Sequence, residues 1–410
     1  MSIFNSLGSN YNLEYVLKSL FIDNNDASNK LKNLLEKKYQ GKATLTYKGR
    51  GALTLALKIL NLPKESVVAI NGFTCFAVYK AIEKASYSVE CLDLQNKDLN
   101  FSSETLINAL RDNSKIKVVV IQNTLGYPCD IEKIEKICKE KKLILIEDLA
   151  HCVGTKYSDD REAGSPRSRL AAKRVAGEAG SVGDFVTLSF SQDKMIDAVS
   201  GGALVIRNKK FQNSILASQG EALELLELKT LNFLQQLKDR FYPLLTYKIR
   251  FLYDLSLGKP LHFILKNLNL LSKLMNESLY TLYSLPNWYC SLALTEFAKL
   301  NPQLNHRRKI AQIYADNLDK KILSESLMKN IYLSSNLRFP VFLENRKSLI
   351  NYLKKDNIHV ADIWYDDVAP ECPNAVNVSH TILNLPTHIN VSEKDALRIT
   401  EKINIWLKSQ

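Results

Sequence analysis

Between residues 47 and 207 the chain alternates short apolar runs, rich in β-branched residues, with longer amphipathic segments. The runs are Ser66–Asn71, Val89–Leu92, Lys117–Gln122, Leu143–Ile146, Phe185–Phe190 and Ala203–Ile206. Ile131–Lys142, between two of them, carries Ile131, Ile134 and Ile137 on one face, the repeat of a half-buried helix. Short strands apolar on both faces and separated by helices read as a largely parallel sheet covered on both sides. The expectation is an α/β large domain.

At 410 residues the chain is longer than one typical domain, and 46% hydrophobic content is ample for a core. The predicted division is a large α/β domain over residues 1–220, a helical insertion over 221–285, and a smaller C-terminal α+β domain over 286–410. The last opens with a long helix (Ser291–Leu300, then His306–Leu318) and holds the strand-like runs Leu337–Phe342 and Ile382–His388.

Two segments break the pattern. Glu162-Ala163-Gly164-Ser165 recurs as Glu178-Ala179-Gly180-Ser181 around an Ala/Arg-rich patch, which points to an insertion at 166–181 that duplicated its own flanks. It reads as a tolerated surface loop or a basic docking loop. Residues 221–285 are rich in leucine, aromatics (Phe233, Phe241, Tyr247, Phe251, Phe263) and basic residues (Lys238, Arg240, Lys248, Lys266). Charges recur too often for a membrane span. The segment suits either a hairpin packed on the protein or a helix lying on an anionic membrane surface.

The formal net charge is +12, from 55 basic and 43 acidic residues. A polyanionic substrate or an anionic surface fits this excess; no zinc-finger, RRM-type or helix-turn-helix signature points to nucleic acid. Seven scattered cysteines without a CxxC pair argue against a disulfide framework or a zinc site and for a reducing cytoplasm. The N-terminus shows no basic segment followed by an apolar one, and no uncharged apolar run is long enough for a span.

Chemistry concentrates in two stretches. Leu188-Ser189-Phe190-Ser191-Gln192-Asp193-Lys194, closed by Ser200-Gly201-Gly202, puts a hydroxyl and an amine on one turn after a buried strand. Leu143–Ile146 runs into Glu147-Asp148-Leu149-Ala150-His151, a strand ending in carboxylates with an imidazole nearby. A third stretch, Lys48-Gly49-Arg50-Gly51-Ala52-Leu53, starts a helical run whose first amides would face an anion. A lysine, an aspartate and a phosphate-binding serine are what pyridoxal phosphate needs from a protein. No Gly-x-Gly-x-x-Gly fingerprint follows a strand, so a dinucleotide site is not indicated.

In this order and spacing the stretches resemble the DegT-type sugar aminotransferases, over residues 45–207 and more loosely over 285–405. The resemblance implies a fold-type I enzyme that binds pyridoxal 5′-phosphate and works as a homodimer. Lys194 would hold the cofactor covalently and move protons during the reaction. Asp148, the second acid of the pair, would face the pyridine nitrogen, and His151 the phenolic oxygen. Ser189 matches the phosphate-binding serine, assisted by Gly49, Arg50 and Gly51. Asn71–Ala77 matches the strand and turn that cover the ring; Cys75 stands where relatives have an aromatic, flanked by Phe73 and Phe76. Asn287 lines up with an asparagine that reaches the neighbouring subunit's phosphate, and Tyr289 replaces an arginine two residues on. The implied reaction moves an amino group from glutamate to a keto carbon of a nucleotide-linked sugar for surface polysaccharide. Relatives that dehydrate sugars carry histidine instead of the lysine; Lys194 favours transamination. The rival reading is a non-catalytic membrane-surface scaffold that keeps the fold.

Overall fold

The computed structural model describes residues 2–22, 24–157, 177–212, 228–272, 281–360 and 367–410. Most of the inferred insertion at 166–181, and residues 221–227 and 273–280 of the helical segment, lie outside these described residues.

All six strands expected from the apolar runs form, with ends shifted by a residue or two. They are β3 (Val67–Asn71), β4 (Ser88–Leu92), β5 (Ile116–Ile121), β6 (Ile144–Asp148), β7 (Phe185–Ser189) and β8 (Gly202–Ile206). A seventh strand, β2 (Lys42–Thr46), was not expected; it pairs antiparallel with β8 at the sheet edge. The order is β2-β8-β7-β6-β5-β3-β4. The β7–β6–β5–β3–β4 run is parallel, and β8 runs against both its neighbours.

Helices cover the sheet because their apolar residues recur at helical spacing. Helix Ile131–Lys141 buries Ile131, Ile134 and Ile137, as its sequence required. Helix Gly49–Leu60 is buried nearly all round, between the sheet and helix Phe76–Lys84.

The C-terminal layer pairs β9 (Phe339–Phe342) antiparallel with β11 (Ile382–Leu385), over helices Leu300–Asn317 and Glu393–Lys408. Its core also holds Ile3, because β1 (Ile3–Phe4) pairs parallel with β10 (Ile358–His359). The N-terminal strand thus packs in the C-terminal layer, away from the large sheet with which the sequence division grouped it.

Candidate active site

Parallel strands end on one edge of the sheet, and open α/β sheets present ligand sites there. Thr74 and Cys75 follow β3, Gln122 and Thr124 follow β5, Asp148 and His151 end or follow β6, and Ser189 and Lys194 end or follow β7. Gly49 follows β2, and Gly202 opens β8 at the same edge. One pocket is lined by Phe73, Thr74, Cys75, Gln122, His151, Asp193 and Lys194, together with Leu337, Arg338 and Asn384 of the C-terminal layer.

Lys194 sits on a turn that holds two non-glycine residues at positive φ, Asp193 (61°) and Val199 (66°). Positive φ is costly, most of all for a β-branched residue, so the surroundings must enforce it. Buried Asp197 does so: its carboxylate accepts the backbone N–H of Asp193 (2.7 Å) and of Val199 (2.9 Å), the Tyr11 hydroxyl (2.9 Å) and the Asn10 amide (3.2 Å). Asp193 in turn accepts from the Ser9 N–H (3.1 Å) and hydroxyl (3.0 Å).

Burial lowers the Lys194 ammonium from its usual 10.5 to about 8; Cys75 and Asp148 oppose the shift, and Arg338 adds to it. Burial raises the Asp148 carboxyl, while the Ala150 N–H and Lys194 pull the other way. The Ala150 N–H donates to Asp148 Oδ1 at 3.0 Å. Burial also holds His151 well below its ordinary value, so the imidazole is neutral. Its Nδ1 accepts the Leu125 N–H (3.3 Å), which leaves the proton on Nε2.

Glu147, the competing carboxylate, is committed elsewhere. It accepts from the Tyr157 hydroxyl (2.7 Å) and from the N–H groups of Gly180 (2.8 Å), Val182 (2.8 Å) and Gly183 (2.6 Å). Adjacent strand residues face opposite sides of a sheet, so Glu147 braces a loop while Asp148 faces the other way.

At the Gly49–Leu60 helix start the backbones are too close for larger side chains. A Cβ on Gly49 would lie 2.7 Å from Ser189 Cβ, and one on Gly202 would lie 2.6 Å from Gly49 Cα. Ser189 is therefore pressed against the first turn, where the helix dipole favours an anion. Lys48 is buried beside them, its Nζ 4.8 Å from the centre of the Tyr47 ring, and burial lowers it to about 8.

Phe73 and Cys75 line the pocket, whereas Phe76 stacks on Tyr79, 40% exposed. Asn287 is not at this pocket: its carboxamide accepts the Ser28 N–H (3.0 Å) and donates to the Asn25 carbonyl (2.9 Å). Tyr289 donates its hydroxyl to Asp239 (2.8 Å).

Sequence reasoning missed the far wall. Arg338 is buried and donates to the Leu337 (2.9 Å) and Asn5 (2.9 Å) carbonyls. An arginine entering the apolar run Leu337–Phe342 was the available signal, because burying a guanidinium is costly without a reason. Among the buried polar atoms lacking a hydrogen-bond partner, Thr74 Oγ1, Gln122 Oε1 and Asn384 Oδ1 belong to pocket-lining residues. Buried polar groups are rarely left so, and these suit a polar occupant. A depressed lysine, a buried aspartate, a neutral imidazole and a small-residue anion cradle on one sheet edge fit pyridoxal phosphate.

Comparisons with known proteins agree. Helicobacter pylori PseC, an aminotransferase involved in the biosynthesis of pseudoaminic acid, superposes with a TM-score of 0.69 at 16% identity, over 100% of both chains. The PLP form of the putative sugar aminotransferase Spr1654 from Streptococcus pneumoniae gives 0.68 at 16% identity, over 97% of this chain and 96% of its own. The fold is that of pyridoxal-phosphate sugar aminotransferases. The family model for DegT/DnrJ/EryC1/StrS aminotransferases matches residues 9–231 and 266–404, and the chain belongs to that family. Its cofactor is pyridoxal 5′-phosphate. By sequence the chain is 22% identical to GDP-perosamine synthase of Escherichia coli O157:H7, over 88% of this chain and 85% of that protein. It is 25% identical to UDP-4-amino-4,6-dideoxy-N-acetyl-beta-L-altrosamine transaminase of Campylobacter jejuni, over 84% and 80%.

Proposed function

We propose that this aminotransferase moves an amino group from glutamate to a keto carbon of a nucleotide-linked sugar destined for surface polysaccharide. The observation that carries the reading is the meeting of Lys194 and Asp148 at one sheet edge, the lysine held near pKa 8 by burial.

Pyridoxal phosphate, when bound, supplies the electron sink that lets a carbon–hydrogen bond beside the amine ionise. Asp148 would hold the proton on the ring nitrogen, and His151 Nε2–H would donate to the phenolic oxygen. Ser189 and the Gly49-Arg50-Gly51 turn would hold the phosphate at the helix start, with Cys75 against the ring. Lys194 Nζ takes the proton from the donor's α-carbon and later delivers one to the sugar carbon that receives nitrogen; an amine near neutral pKa serves both directions. The relatives' nucleotide-sugar substrates and the chain's basic excess support this acceptor class. The working unit in this reading is a homodimer, in which Asn287 exchanges its contact with Asn25 for the partner's phosphate.

The test is an absorbance spectrum of purified protein with pyridoxal phosphate, before and after glutamate, beside Lys194→Ala. A visible band that bleaches with glutamate and is missing in the variant is expected. A band indifferent to glutamate would refute the donor; an unchanged band in Lys194→Ala would refute the lysine.

A further inference from the structure

Residues 232–265 fall between the two parts of the family match. They form most of a helical hairpin, Phe233–Tyr253 and Gly258–Asn267. One face of the longer helix is consumed by the protein: Asp239, Tyr242, Thr246 and Ile249 are buried. Asp239 accepts the hydroxyls of Tyr47 (2.6 Å) and Tyr289 (2.8 Å).

The opposite side is apolar and bare. Phe233 is 71% exposed, Phe251 62% and Phe263 66%, with Leu255 and Leu257 on the connection between the helices. Helix Leu13–Phe21, which packs beside the hairpin, ends in Phe21 at 79%. Many large apolar side chains left in water on one element mark an interaction surface, whereas single exposed residues need no explanation.

The charge around this surface is mainly basic, with Asp254 an exposed carboxylate on the connection. Lys248, Lys259 and Lys266 are exposed; Asp239 is buried, and Asp254 accepts from the Ser2 N–H and hydroxyl. Arg250 is turned inward to the Tyr11 carbonyl. No helix among the described residues is long and apolar enough to cross a membrane. An apolar face rimmed by lysines lies in a lipid headgroup layer, with aromatics inserted and ammonium groups on anionic headgroups.

We propose that the hairpin docks the enzyme on an anionic phospholipid surface. This goes beyond the transamination reading and does not depend on it. The test uses the full chain, loaded with cofactor, in co-sedimentation with phosphatidylcholine vesicles, with or without phosphatidylglycerol. Wild type should bind the anionic vesicles and lose them at high salt; the charge-reversal variant K248E/K259E/K266E and the face variant F251S/F263S should each bind about tenfold more weakly. All these side chains are exposed and none lines the pocket, so transamination in solution should be unchanged. Equal binding by wild type and both variants, or none by wild type, overturns the proposal. So does a fall in molecular mass of F251S/F263S by light scattering, which would assign the face to contact between copies.

Discussion

Lys194 is reactive because of where the chain buries it. An ammonium taken out of water loses its hydration, and the proton leaves more readily. With the group near 8 instead of 10.5, each pH unit below 8 costs about tenfold in free amine, and above 8 little more is gained. The rate at which cofactor-free protein takes up pyridoxal phosphate should climb between pH 6 and about 8 and then level off, followed by absorbance. A climb continuing to pH 10 would mean the lysine is solvated. The residues that aim Lys194 are less visible in sequence than the lysine. Asp197 contributes no chemistry and matches no motif, yet it gathers four donors around a turn with two strained residues. Asp197→Ala should lower stability by roughly 3 kcal/mol in urea denaturation and slow cofactor attachment at every pH.

At the scale of elements, the parallel strands were legible because each is a short run apolar on both faces. Strand β2 was not: Lys42-Ala43-Thr44-Leu45-Thr46 is half exposed and lacks such a run, and it is a strand only because the edge of β8 is there to pair with. The contact between the Gly49 helix and β8 is equally tertiary. A methyl at Gly202 would meet Gly49 Cα at 2.6 Å, and backbone cannot swing aside as a flexible side chain can. Gly202→Ala should destabilise by about 1–3 kcal/mol and weaken affinity for pyridoxal phosphate, since the helix start moves with the clash; equilibrium dialysis reads the second effect. The hairpin is pinned at Asp239. Asp239→Ala strands two buried tyrosine hydroxyls and should cost about 3 kcal/mol, measured as a lower Tm, with the Lys194 spectrum intact in the folded fraction.

Across the whole molecule, the pocket is closed by parts of the chain far apart in sequence. Arg307 is buried where they meet, donating to the Leu337 carbonyl (3.1 Å), the Thr387 hydroxyl (3.0 Å) and Asn10 Oδ1 (3.3 Å). Burial pushes its guanidinium down to about 9, with Arg338 adding repulsion and Asp193 and Asp197 opposing it. Arg307→Ala should therefore loosen the far wall of the pocket: a several-fold higher KM for the keto-sugar, with Lys194 still taking up cofactor, is the expected split.

Local pattern was enough for the α/β class, for six strands, and for the candidate lysine, serine and glycine turn. Each of these is written within a few residues, as a period, a turn or a motif. Which of Glu147 and Asp148 faces the pocket was another matter. Strand alternation says only that they point apart; the side each takes depends on Tyr157 and the 180–183 loop. Asn384 and Asp197 were equally out of reach, because their roles come from contacts between segments well separated along the chain. Such contacts form only when the layers pack, and no local stretch of sequence encodes them.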